Sequence, residues 1–367
     1  VTPRPLPAPP FLLLGALSLL AGLWAGLLRL PTPLPALHGL LAALHGPLMA
    51  GAFLGTVICA ERAAALGGRP LLWLPALLHG MGGLAMIAGP ALPGPMTAVR
   101  TAALLMTAGA AGLVLLFVPI LRRQRTFFNT VMALGALALL AAHMQLWLRG
   151  SAVAATPWWA AFLVLTIAGE RLELNRLMKP SPRAETAFKA ILLLQLAALA
   201  ATGWSLELGL RLQGAGHLLL AIWLGVNDIA RRTIRLPGPP RYAAFCLLSG
   251  YCWLAAAGLL ALVGPCQVAG PWRDASLHAL FLGFVFAMIF GHAPIIVPAL
   301  TGLAVKLNRG FHVALLLLHA GLTARIVGDL GGWSGLRVHG GETGVAAILL
   351  FLVVLFASLR RSGTSAA

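Results

Sequence analysis

Hydrophobic and polar positions fall along this chain in long blocks, with no short alternation of the kind that marks a half-buried strand. Apolar runs of about twenty residues, the length that crosses a hydrocarbon core, lie near 11–30, 37–60, 71–91, 98–121, 127–148 and 152–170. Six more lie near 185–204, 209–230, 241–263, 275–300, 309–330 and 342–359. Inside lipid a backbone has to satisfy its own hydrogen bonds, so runs of this length predict helices. The pattern predicts an all-α, polytopic integral membrane protein of about twelve transmembrane helices. No connection is long enough for a soluble domain, so residues 1–367 read as a single helical-bundle domain. The run at 11–30 follows Arg4 and several prolines and has no A-x-A cleavage site after it, so it reads as a first spanning helix rather than a cleaved signal.

Charge orients these helices. With both termini cytoplasmic, the inner connections hold nineteen of the 26 basic side chains, in groups such as Arg122, Arg123 and Arg125, or Arg231, Arg232, Arg235 and Arg241. Positive charge gathers on the cytoplasmic side of membrane proteins, and the asymmetry recurs loop after loop. The formal net charge of +17 therefore reflects topology, and nucleic acid is not an expected partner. The expected surroundings are a lipid bilayer, with both termini on its cytoplasmic side. Composition agrees: 60% of residues are hydrophobic and only 10% charged, against about 25% charged in a soluble domain.

Nucleotide and zinc-protease motifs are missing: there is no Walker A sequence and no HExxH. The four cysteines, Cys59, Cys246, Cys252 and Cys266, form no CxxC, so they read as small apolar residues. Acids are few. Glu61, Glu170 and Asp228 sit at inner helix ends beside Arg62, Arg171 and Arg231, and Asp329 follows Arg325 by one turn, as a helix-end pair would.

Ten histidines remain, and most fall within apolar runs. Intramembrane ionisable residues are costly and usually functional. By depth, His38, His143, His217 and His278 lie near outer helix ends, His45, His79 and His319 nearer the middle, and His292 and His312 towards the inner side, with His339 in an outer loop. His278 and His292 are fourteen residues apart, about 21 Å along a helix and within roughly 40° of one face. His38/His45 and His312/His319 are each seven apart, two turns on one face. These pairs predict a connected set. With few thiolates or carboxylates at depth, neutral imidazole suits haem iron, copper or zinc better than calcium or magnesium, and haem with or without copper is the expected choice.

Two stretches carry a family resemblance. Leu277–Gly283, reading LHALFLG, resembles the late HAL-containing helix of the NnrS family, twelve-helix bacterial haem and copper membrane proteins linked to nitric-oxide metabolism. Leu44–Gly55, reading LHGPLMAGAFLG, stands where that family has a histidine-rich second helix, although Gly46 and Pro47 follow His45 here and no glutamate is adjacent. The resemblance implies His45 and His278 as haem or metal ligands. On this reading haem b is held by residues drawn from His45, His79, His278, His292 and His319, and copper lies near the outer layer among His38, His45, His217 and His278. It implies a membrane oxidoreductase linked to nitric oxide or quinol, with nitric oxide or oxygen as the gas ligand. The competing expectation is a secondary transporter whose histidines and proline-broken helix, at Pro294 and Pro298, line a midplane site. A third is a structural membrane protein whose histidines only satisfy backbone groups.

Overall fold

Proline marks where many of the helices start. Pro47, Pro70, Pro95, Pro182, Pro239 and Pro271 each stand in a first helical turn, where a missing N–H costs nothing and the fixed φ is already helical. Glycine marks some of the ends: Gly150 and Gly332 cap two helices in the left-handed region, with φ of 62° and 70°.

The structure is a computed structural model that describes residues 8–89, 94–265 and 269–361; Arg4 and Cys266 lie outside the described residues. In chain order the helices are α1 (Ala8–Leu27), α2 (Leu54–Ala65), α3 (Leu74–Ala88), α4 (Pro95–Arg123), α5 (Phe127–Arg149), α6 (Ala152–Asn175), α7 (Pro182–Ala201) and α8 (Leu206–Asn227). They continue with the short α9 (Ala230–Thr233), then α10 (Pro239–Val263), α11 (Pro271–His278), α12 (Ala287–Thr301), α13 (Arg309–Gly331) and α14 (Ser334–Ala357). A two-stranded antiparallel ribbon pairs β1 (Leu303–Val305) with β2 (Leu359–Arg361). The protein is all-α and polytopic.

Among the described residues, eleven helices are long and apolar enough to cross a membrane. The twelfth expected span corresponds to α8. It has 22 residues, enough to cross, but carries Arg211, Gln213 and His217 within its length. Those polar groups keep it out of the apolar set.

Contacts divide the chain into two units, one running to Glu170 with Ala299–Gly302 added, the other formed by Arg171–Pro298 and Leu303 onward. In the first unit α1 packs on α3, α3 on α4, and α4 on α5. In the second, α7 packs on α8, α8 on α10, α11 on α13, and α13 on α14.

Among the described residues, two spanning helices contain π-helical turns. Pro47–Phe53 leads directly into α2, and Ala279–Phe286 joins α11 to α12. A π turn takes up an extra residue and so rotates the remainder of the helix by roughly 100° relative to an uninterrupted α-helix. The π turn overturns one expected pairing, and a bend overturns another. His278 and His292 flank the second π segment, so in place of an offset of roughly 40° they stand roughly 140° apart around the helix. His38 lies in a bend before the 3-10 turn Leu41–Leu44, outside the helix that holds His45. His312 and His319, on the unbroken α13, do share a face: His312 meets the rings of Tyr242 and Phe245, and His319 bonds Trp253 and Ser249, all on α10.

Candidate metal centre

The most enclosed histidines are His79 on α3 and His143 on α5, both 0% exposed. Their ring centroids are 5.2 Å apart with planes inclined at 53°. The Nδ1 of His79 lies 2.8 Å from the carbonyl of Pro75, one turn back on its own helix. The Nδ1 of His143 lies 3.1 Å from the carbonyl of Met106 on α4. A carbonyl only accepts, so each Nδ1 carries the hydrogen. Charging either ring in this dry setting would be expensive with no acid beside it. Both rings are therefore neutral, with the lone pair on Nε2. Neither Nε2 has a hydrogen-bond partner.

Backbone hydrogen bonds of this kind orient imidazoles that bind metals, because they fix the tautomer and aim the basic nitrogen. Here the glycines complete the cradle. A methyl group on Gly51, within the first π segment, would stand 3.0 Å from His143 Nε2 and 3.4 Å from Met106 Sδ. One on Gly55, a turn later, would stand 2.9 Å from His79 Nε2. The π turn thus lays bare backbone against both nitrogens. Trp159 on α6 closes the edge, its ring 6.2 Å from His143 and its own Nε1 buried without a partner.

Met106 brings a thioether to this ring of groups, and Cys59 lies on the far side, its Sγ 3.7 Å from His79 Nδ1. The cluster is two imidazoles and a thioether; among the described residues no group of three or more His, Cys, Asp or Glu side chains could hold a metal ion. A single small ion suits it. A haem does not: two axial imidazoles hold their centroids roughly 6 Å or more apart, from metal–nitrogen distances of about 2 Å, and the backbone at Gly51 and Gly55 fills the place of the macrocycle.

The other expected ligands are scattered. In the first unit, His45 bonds Gly22 O at 2.8 Å through Nδ1, and His38 has both ring nitrogens buried without partners. In the second, His278 and His292 place Nδ1 2.8 Å and 2.7 Å from the carbonyls of Asp274 and Met288, each one turn back. His217 on α8 is buried with Nε2 unpartnered. His319 is fully engaged: Trp253 Nε1 donates to its Nδ1 at 2.9 Å, so its Nε2 carries the hydrogen and donates to Ser249 Oγ at 2.9 Å. That leaves His319 no lone pair for iron or copper.

Sequence reasoning chose His79 and passed over His143 and Met106, because it assigned His79 and His143 to different depths. The spacing of one helix says nothing about its neighbour's register. The acids also pair differently from expectation. Arg62 pairs with Glu170, Arg171 lies 3.8 Å from Asp228, Arg325 bonds Asp274 at 2.8 Å, and Arg337 lies 2.8 Å from Asp329. Each of these four acids finds its arginine on another helix, while Glu61 keeps the expected neighbour, Arg62, at 3.8 Å.

The family model that matches the chain is a domain of unknown function, DUF8744, over residues 9–360. No curated protein matches it.

Proposed function

The chain belongs to the DUF8744 family, and from that premise and its buried histidine pair we propose that it is a membrane metalloprotein of redox type, holding copper between His79 and His143. The observation that carries this reading is the pair of neutral, fully buried imidazoles whose Nε2 atoms have no protein partner. A soft thioether beside two imidazoles favours monovalent copper over harder divalent ions. Copper, when bound, would supply one-electron exchange and an affinity for small uncharged gases. The chain's own part is to hold and to exclude. Pro75 and Met106 carbonyls keep both rings aimed, Trp159 and the π-turn backbone keep water out, and Met106 offers the third contact.

This reading keeps the nitric-oxide or oxygen chemistry that the NnrS resemblance implies, in a bacterial cytoplasmic membrane with both termini inside, and leaves quinol as the matching class of electron donor. It moves the centre away from His45 and His278, and away from haem at the His79/His143 pair.

The test is metal analysis with an oxidised-minus-reduced visible spectrum on detergent-purified protein loaded with cuprous ion. One copper per chain is expected, with at least a tenfold loss in His79→Ala and His143→Ala that remain monodisperse, and none in His45→Ala or His278→Ala. A b-type haem spectrum abolished by His45→Ala and His278→Ala would return the centre to the ligands implied by the resemblance. A colourless, metal-free protein with measurable flux in vesicles would favour transport, a reading to which the two π-broken spanning helices lend support.

A further inference from the structure

A second site lies at the turn between α4 and α5, away from the histidines. A cavity of about 530 Å³ opens there, with an apolar lining of Val118, Leu121 and Phe127 and a polar one of Arg122, Arg125, Thr126 and Thr130. Its polar half is poorly served by the protein. Thr126 occupies the N-cap of α5 with extended backbone, yet its side chain makes no capping bond, and its hydroxyl is buried with no partner. Arg122 and Arg125 are both exposed, and among the described residues neither has a carboxylate partner. The first turn of α5 adds backbone N–H groups, which favour an anion.

Part of its apolar lining is exposed. Val118 and Phe127 are each 38% exposed, and in a polytopic protein such exposed apolar side chains at a helix end meet acyl chains. Two guanidinium groups, an unused hydroxyl and an apolar wall at a helix end match one kind of ligand. We infer that this cavity seats the headgroup phosphate of an anionic phospholipid, with its acyl chain along Val118, Leu121 and Phe127. Free phosphate would leave the apolar wall unused. A zwitterionic headgroup would bring an ammonium towards two arginines with no acid to receive it. The loop also sits among the basic connections, the side on which anionic lipids attract cationic residues.

Native mass spectrometry of the delipidated protein, titrated with phosphatidylglycerol, phosphatidylcholine or inorganic phosphate, tests the assignment. Phosphatidylglycerol is expected to bind with at least tenfold preference over phosphatidylcholine. In Arg122→Gln/Arg125→Gln its affinity is expected to fall by roughly thirtyfold, the loss two interfacial cations imply. The charge-matched Arg231→Gln/Arg232→Gln should bind as the unsubstituted protein does. Equal loss in both doubles would show bulk surface charge and overturn the site. Inorganic phosphate binding as tightly as the lipid, and competing with it, would overturn the lipid assignment.

Discussion

At the scale of single residues, what matters is which lone pairs and hydroxyls the protein leaves unused. His319 and His79 are both imidazoles inside helices, yet one is spent on Trp253 and Ser249 and the other presents a bare Nε2. On the proposed reading, Met106 separates a copper site from one that any imidazole-binding metal would fill. Leucine has nearly the volume of methionine, so Met106→Leu should cost less than about 1.5 kcal/mol of stability. It should weaken cuprous binding at least tenfold while leaving zinc binding within about twofold, since zinc accepts imidazole without thioether. Competition titrations with a cuprous chelator and a zinc chelator check both. Equal loss of the two metals would mean that Met106 acts only through packing.

At the scale of elements, packing depends on bare backbone. Where α13 meets α14, a methyl group on Gly340 would collide with the Arg325 backbone N and lie 2.7 Å from Gly321 O. Small residues let membrane helices approach this closely, which replaces the hydrophobic drive that lipid removes. Gly340→Leu should therefore lower stability by about 3 kcal/mol or more, an overpacking cost with nowhere to relax. Gly335→Leu, on the same helix but with nothing within 4 Å, should be nearly neutral. Thermal midpoints in one detergent would compare them, and equal midpoints would refute close packing at this seam. Asp274 belongs to the same unit, joining α11 to α13 through Arg325.

The elements themselves were largely legible in the sequence. Length and apolarity mark each span, because lipid leaves the backbone no other partner, and prolines mark many of the starts. The π turns were not legible. Pro47–Phe53 and Ala279–Phe286 contain no residue that demands an extra backbone step, so the helical wheel placed His278 and His292 on one face when they are not.

At the scale of the whole molecule, the distribution of arginine predicts orientation. With the basic connections inside, an impermeant thiol reagent applied to intact cells should label Ser334→Cys, at the start of α14, and spare Arg235→Cys until the membrane is opened. Both positions are exposed. The reverse pattern would invert the topology, and equal labelling would refute it.

The sequence by itself determined that this is a helical membrane protein, where its spans lie and how its charges are shared between loops. Those properties follow from local composition, read twenty residues at a time against the thickness of a bilayer. Only the tertiary structure decided which histidines meet. Ring separation depends on the register between α3 and α5 and on a π turn that turns Gly51 and Gly55 towards both, and neither quantity is written in the spacing of any single helix. For the same physical reason Arg62 reaches Glu170, and Arg325 reaches Asp274, each on another helix.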